Sequence, residues 1–374
     1  MKVLYIHSNY PNYSEAFIHN EVEHLIAQGA EVQVLNLNWK ANAIQSSSLK
    51  YNTRNPLKFR WGRSLIKSSD MLHESMKTRL LKQVYMRLTS VHLLDLVKSF
   101  SPEIIISHFA FSTSKVASEI AHCLGIRHYL RLHTTHTTLT KNALQTMVSR
   151  AYGGSAISQY VLNHFMSFTV HKLSLIRQDI NFPELEYSYH APSAMVKLVS
   201  VGRFIEKKGF ESLISAVNLL RPEQRNNVHL TIVGRGKLAN EYRQLIEKEN
   251  LVETVILIDA LPHRELITIL KNSDMLIVPS RDTSTDEEGI PTVIPEAMAV
   301  GTPVLCSMVG ALDEIIRADI NAFVIEDVNP NGISESLSKV LDKKMEWKYV
   351  CEQARKDVEQ YYTKRLKIED LNIE

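Results

Sequence analysis

Several ordinary ingredients are scarce in this chain of 374 residues. Glycine occurs 13 times, about half of the usual ~7%, which excludes collagen-like and glycine-rich low-complexity chains. The three cysteines, Cys123, Cys306 and Cys351, lie far apart. They form no CxxC pair and no zinc spacing, so a disulfide scaffold and a cysteine metal site are excluded, and buried free thiols are expected. No window reaches the ~18 consecutive apolar residues of a membrane span. Net charge is +2, without the basic excess of a nucleic-acid binder. No Asp-x-Asp pair occurs, and no metal is expected. The first apolar run, MKVLYIH, leads into SNYPNYSE with no glycine, so a dinucleotide fingerprint is missing there. That run is short and ends in polar residues. It reads as a strand rather than a signal peptide, which makes the cytoplasm the expected compartment.

What is present is alternation. Short β-rich runs at residues 1–7, 31–37, 103–108, 127–133, 155–158 and 172–177 are separated by amphipathic stretches, the first of them capped by Ser14 and stopped by Gly29. A polar, proline-bearing stretch at 181–193 follows. A second series of strands is expected at 197–201, 229–233, 254–258, 275–278, 303–306 and 322–325. Repeated β–α alternation implies a parallel sheet covered on both faces. The chain is read as α/β, with two doubly wound Rossmann-like domains. The N-terminal domain spans 1–190, the C-terminal domain 191–345, and a helix and charged tail occupy 346–374.

Charge is concentrated in one place. Between Lys50 and Lys98 eleven Lys or Arg face three acids, a local charge of +8, and Leu57, Phe59, Trp61, Leu65 and Ile66 lie among them. Such a segment is either a solvated helical face or a contact for an anionic membrane surface or acidic ligand.

Chemistry is expected in the second half. Six glycines (Gly202, Gly209, Gly234, Gly236, Gly289 and Gly310) follow its strands or precede its helices. Ligands of open α/β sheets bind outside the carboxyl ends of the strands, where glycine lets backbone approach them closely. In SVGRFIEKKGF, Arg203 and Lys208 sit five residues apart after a strand and suit a diphosphate. In DTSTDEEGIPTVIPEAMAVG, Pro291 fits a first helical turn. The N–H groups of Gly289, Ile290, Thr292 and Val293 would then face an anion at the helix N-terminus. Glu288 precedes that start and Glu296 lies about a turn inside. Carboxylates so placed can each accept hydrogen bonds from a sugar or ribose diol.

VGRFIEKKGF, EEGIPTVIPEAMAVGTPV and GALDEII together resemble the retaining glycosyltransferases of glycosyltransferase family 4, which have the GT-B fold. PNYSEAFIHNEVEHLIAQGAEVQVL, IISHFA, RLHTTH, AISQYV and LIRQDINF are similar to the N-terminal domain of its members that build exopolysaccharide and lipopolysaccharide. The resemblance implies two domains facing each other across a cleft, with the C-terminal tail packed back on the N-terminal domain. It implies that Glu296 holds the nucleotide ribose and that Glu288 contacts the donor sugar. Arg203 and Lys208 would neutralise the leaving diphosphate, while Gly202, Gly234 and the 289–293 backbone line the donor. His133 would face the donor sugar, and His108, Ser14 and Glu15 would line the acceptor side.

The implied activity is retaining, metal-independent hexosyl transfer from a nucleotide-diphosphate sugar, a UDP-sugar before a GDP-sugar, to a hydroxyl of a glycan or lipid-linked acceptor in polysaccharide biosynthesis. The donor is a substrate and no resident cofactor is implied. The basic 50–98 segment would hold the enzyme peripherally on the inner membrane face. The sequence departs from the family at 9–14, where a Gly-Gly pair is usual, and at Gly310-Ala311. Asn321 replaces a common glycine, a substitution compatible with a left-handed turn. The competing readings are a nucleotide-sugar epimerase of the same fold, a non-catalytic sugar-nucleotide binder and a dehydrogenase.

Overall fold

In strand β1 (Lys2–His7), Val3 and Tyr5 enter one apolar cluster and Leu4 and Ile6 another. A strand projects successive side chains to opposite faces, so a strand apolar at both must be covered twice. The computed structural model describes residues 1–8, 10, 15–37, 53–54, 93–168, 173–182, 185–282, 289–362 and 364–372. Ser14, Glu288 and almost all of the basic 50–98 segment fall outside them.

The first sheet is built from β1, β2 (Glu31–Asn36), β3 (Thr53–Arg54), β4 (Ile104–His108), β5 (Arg127–Leu132), β6 (Gly153–Ala156) and β7 (Leu173–Leu175). Their spatial order is β3-β2-β1-β4-β5-β6-β7, all parallel. Helix α1 (Ala16–Ala27) lays Phe17, Ile18, Val22 and Leu25 on one face. On the other lie α2 (residues 93–100) and α3 (Ser112–Leu124), through Val97, Phe100, Ala117 and Ile120. Each large apolar side chain so buried contributes roughly 1.5–3 kcal/mol. Helices α4 (Lys141–Arg150) and α5 (Gln159–Met166) complete the layer through Leu144, Met147, Val148 and Phe165.

The second sheet comprises β8 (Val196–Val201), β9 (Val228–Val233), β10 (Val255–Ile258), β11 (Met275–Val278), β12 (Val304–Ser307) and β13 (Phe323–Ile325), in the order β10-β9-β8-β11-β12-β13 and again all parallel. Helices α6 (Phe210–Asn218), α7 (Pro222–Arg225), α8 (Ala239–Lys248), α9 (His263–Lys271), α10 (Val293–Val300), α11 (Pro330–Asp342) and α12 (Trp347–Tyr361) accompany it. Leu213, Tyr242 and Leu337 cover one face, and Leu270, Ile294 and Val358 the other. In both sheets the strand order reverses beside the first strand, between β1 and β4 and between β8 and β11. That is the switch point where such sheets bind ligands.

The chain crosses between the sheets twice. Arg355 of α12 donates to the carbonyls of Leu185 and Ala299 (both 2.6 Å) and lies 4.2 Å from the Phe182 ring centroid. Beyond α12, Leu366 and Leu371 are buried in the cluster that contains Val3 and Phe17. Arg365 pairs with Asp179 at 2.6 Å.

Six local expectations are corrected: Cys123 is exposed while Cys306 and Cys351 are buried, β3 lies where no strand was expected, and four more concern the following segments. The strand expected at 155–158 is Gly153–Ala156, and Ser158 instead caps α5 by accepting from the Val161 N–H. Helix α1 begins at Ala16, so Glu15 rather than Ser14 stands at its N-cap and gives no side-chain cap, while Gly29 at φ +92° stops it as expected. Pro291 lies before the first turn of α10, not within it, and its carbonyl accepts from Ile294 N at 3.0 Å. Asn321 adopts no left-handed backbone; its side chain instead accepts from Arg317 N and donates to Ile315 O and Asp357, and Asp319 takes the positive φ of that turn.

Candidate functional site

On the C-terminal side, the site begins where β8 and β9 end. A Cβ on Gly234 would lie 1.9 Å from the Gly202 carbonyl oxygen, closer than any side chain permits, so the strand ends touch backbone to backbone. Gly202 N donates to Val233 O and Phe204 N to Arg235 O. The single turn Glu206–Lys208 follows and closes at Gly209, whose φ is +66° and whose Cβ would meet Pro279 O at 2.0 Å. This pins the turn to the end of β11. The Lys208 aliphatic carbons pass within 3.4 Å of where a Gly202 Cβ would stand. The Lys208 stem therefore lies over the opening that Gly202 leaves. Arg203 is solvent-exposed.

Helix α10 supplies the second part. Ile290 and Val293 are buried and anchor its entry. The N–H groups of Gly289, Ile290, Thr292 and Val293 have no partner among the described residues, as the first amides of a helix do before an anion binds. Glu296, one turn in, is 3% exposed, and its Oε1 lies 2.9 Å from His263 Nε2 at the start of α9. His263 thereby engages one carboxylate oxygen.

The N-terminal side meets this helix at its entry. A Cβ on Gly289 would lie 3.3 Å from the His133 carbonyl. The segment after β5 therefore faces the loop that starts α10. Sequence reasoning expected His133 at the cleft, and its backbone stands there. Its ring, however, is packed between Phe17 and Phe109, with centroids at 4.7 and 4.6 Å, and the residue is 4% exposed. Its Nε2 lies 2.9 Å from His108 Nδ1 and its Nδ1 3.4 Å from Gln178 Nε2. The His108 ring is fully buried behind His133, so it reaches the cleft only through that neighbour. Glu15 pairs with His7 at 3.4 Å beside Tyr10. Phe109, which follows β4, has φ +66°, an uncommon conformation for a bulky residue. It is held by its own N–H to Arg131 O and by Ser114 Oγ donating to its carbonyl.

Beneath His108 lies a group the sequence did not single out. Glu21 of α1 accepts from Arg131 Nε and from the Tyr5 hydroxyl, both at 2.8 Å, and stands 3.4 Å from His108 Nε2. Arg131 also donates to Ser155 Oγ and Ile176 O. Burial would raise the Glu21 carboxyl, but the Arg131 guanidinium, His108 and the Tyr5 hydroxyl outweigh it and hold it at about 2. Burial lowers His108 against the pull of Glu21. Burial, reinforced by His108, Arg131 and His7, takes His133 well below the ordinary range. The available signal was the alternation in RHYLRLH: a charged residue inside a strand covered on both faces needs a buried partner.

The domains are further joined by Glu314, whose carboxylate accepts from the N–H groups of Gln159 and Tyr160 at the start of α5, both at 2.8 Å, and pairs with Arg177 at 3.2 Å. Among the described residues no group of three or more His, Cys, Asp or Glu is placed to hold a metal ion. Among them, too, no helix is long and apolar enough to cross a membrane.

Residues 186–361 match the family model described as Glycosyl transferases group 1. Over 258 residues the chain is 25% identical to the uncharacterized glycosyltransferase MJ1178 of Methanocaldococcus jannaschii, covering 66% of this chain and 68% of that one. Over 223 residues it is 29% identical to the amylovoran biosynthesis glycosyltransferase AmsK of Erwinia amylovora, covering 58% of this chain and 51% of AmsK, so the match spans about half of that relative. Among solved structures, Alr3699/HepE of Anabaena in complex with UDP-glucose superposes with a TM-score of 0.69 at 16% identity, covering 100% of this chain and 97% of that one. Residues 186–361 are thus similar to the Glycosyl transferases group 1 domain, the chain has relatives in exopolysaccharide biosynthesis, and it adopts the GT-B fold.

Proposed function

We propose that this chain transfers a sugar, with retention of configuration, from a nucleotide-diphosphate sugar to a hydroxyl of a glycan or lipid-linked acceptor. The observation that carries this reading is the meeting of Gly289, at the entry of α10, with the His133 carbonyl. It brings the strand ends of both sheets to one place, with Lys208 and Glu296 on the same side as α10. A UDP-sugar is the favoured donor, in keeping with the UDP-glucose held by Alr3699/HepE.

The difficulty of the reaction is charge. The anomeric carbon gains oxocarbenium character while the diphosphate departs with its negative charge. Groups already aimed at the departing oxygens stabilise that state without reorganising, and one such donor contributes roughly 3–4 kcal/mol. Arg203, Lys208 and the amides at the start of α10 fill that role. Glu296, oriented by His263, accepts from the ribose hydroxyls. The acceptor enters from the side of Glu15 and His7, and the leaving phosphate takes its proton on the same face. That route needs no protein nucleophile. Closure of the two domains excludes the water that would otherwise hydrolyse the donor.

Calorimetric titration with UDP, GDP, ADP and TDP tests this. Selective binding of one of them is expected, weakened tenfold or more in Glu296→Ala, which is at least ~1.4 kcal/mol. Absence of binding by all four, or binding indifferent to Glu296→Ala, overturns the reading.

A further inference from the structure

Four side chains form a continuous ladder from the buried ion pair to the cleft: Glu21, His108, His133 and Gln178. Each step restricts the next. Glu21 is held ionised by Arg131 and Tyr5, so its oxygens only accept hydrogen bonds. His108 Nε2 faces Glu21 Oε1 at 3.4 Å, an electrostatic contact rather than a hydrogen bond, and this buried nitrogen has no hydrogen-bond partner. A lone pair there would face an anion, so Nε2 carries the proton. A neutral ring then has a bare Nδ1. That atom lies 2.9 Å from His133 Nε2, which must donate to it. The last bare nitrogen is His133 Nδ1, on the side where the Gln178 amide, itself a donor, lies 3.4 Å away.

We infer that Glu21 and His108 are positioning residues that fix His133 in the tautomer protonated at Nε2, leaving Nδ1 as a permanent hydrogen-bond acceptor. This rests on the proposed transferase reading for its purpose. A neutral Nδ1 accepts a hydrogen bond from a hydroxyl of the donor sugar in place of the one from Gln178, without placing positive charge next to a carbon that is itself becoming cationic. The titratable and charged groups around the ring are His108, Arg131 and His7, and each of them, when positive, opposes a second cation at His133. Glu21, one ring further away, is the anion that sets the direction of every bond in the ladder.

The test is long-range ¹H–¹⁵N correlation spectroscopy on the full chain labelled with ¹⁵N-histidine, with and without UDP, the His133 signals being identified by their loss in His133→Gln. The expected spectrum shows His133 protonated on Nε2, bare on Nδ1 and unchanged from pH 5.5 to 8.5. In Glu21→Gln the terminal amide can donate to His108 and reverse the ladder. A detectable population protonated at His133 Nδ1 is expected, with kcat reduced tenfold or more and UDP affinity within twofold. A wild-type His133 protonated on Nδ1, or titrating in that range, overturns the inference. So does a Glu21→Gln protein with an unchanged tautomer, or with a reversed tautomer and wild-type kcat. Should Glu21→Gln fail to fold, His108→Phe leaves the Glu21–Arg131 pair intact, and loss of the single Nε2-protonated form is expected there; its persistence overturns the inference. The tautomer is read without turnover, so a chain that binds no nucleotide refutes the transferase reading and leaves the ladder to be decided on its own spectrum.

Discussion

The two domains share a topology and build their halves of the site in opposite ways. The N-terminal domain uses buried side chains: an ion pair between α1 and β5, with His108 and His133 leading outward from it. The C-terminal domain uses backbone. Gly202, Gly209 and Gly234 let strand ends and a turn touch, and the start of α10 offers amides. Its buried carboxylates stand apart from one another: Asp274 accepts from the N–H groups of Ser193 and Lys197, Glu296 faces His263 and Asp357 faces Arg317. One half is therefore sensitive to charge and the other to volume.

Arg131→Met separates the two halves most strongly. It removes one partner of a buried pair and leaves the Glu21 carboxyl buried without its cation. Such losses cost roughly 3–5 kcal/mol. Hydrogen exchange should show protection falling in β1, β4 and β5 while β8 and β9 keep theirs, and adding Glu21→Leu should restore part of it. A cost below about 1 kcal/mol would mean that the pair is not what holds α1 to the sheet.

The complementary change is Gly234→Ala, which adds one methyl and no charge. Its Cβ meets the Gly202 carbonyl, which cannot rotate away as a flexible side chain would. Overpacking of this kind costs roughly 1–3 kcal/mol. Protection should fall in β8 and β9 and stay unchanged in β4 and β5. Equal loss in both sheets would show the domains to be one cooperative unit and would erase the distinction drawn here.

The same contrast explains what was legible in the sequence. Glycine spacing is visible in a chain, so the turn at 202–209 and the entry to α10 could be singled out from SVGRFIEKKGF and EEGIPTVIPEA. A buried pair whose members lie 110 residues apart is marked only on its β5 side, by the charged residue in RHYLRLH, and nothing local names the partner. Glu21, in HNEVEHL, has the sequence of a solvated helix face, and only the fold turns it inward. His263 was missed for a similar reason: it lies 33 residues before Glu296, at a helix start that carries no motif of its own. Strand positions were readable from apolar runs because both sheets are covered on both faces. The two-residue β3 escaped this reading, and so did the start of β6, where Gly153-Gly154 looks like a turn yet forms the strand. There a Gly154 Cβ would meet the Leu130 carbonyl at 2.6 Å, so the glycine serves close strand contact rather than bending.

Mild acid acts more gently and distinguishes the two domains without any substitution. All four buried histidines among the described residues, His7, His108, His128 and His133, belong to the N-terminal domain. His128, whose Nε2 meets Ser107 Oγ at 2.8 Å, is held at about 4 by burial, and burial also lowers His108 and His133. A histidine whose folded pKa is depressed binds its proton more readily when unfolded. Its neutral burial therefore costs nothing above the unfolded value near 6.5, and stability falls as pH drops below that value towards the folded pKa. Between pH 7.5 and 5.5, His128 alone should remove about 1 kcal/mol. Glu21 contributes no loss in this window, because its folded value of about 2 lies below the ordinary carboxylate range and its stabilisation is lost only under stronger acid. Hydrogen exchange corrected for intrinsic rates should show β4 and β5 losing protection over these two pH units while β8 and β11 hold theirs. His128→Asn, which has no proton to gain, should flatten the slope in β4 and β5. A slope shared by both sheets would trace acid sensitivity to the contacts between the domains, Glu314 with α5 and Arg365 with Asp179, rather than to the histidines inside one of them.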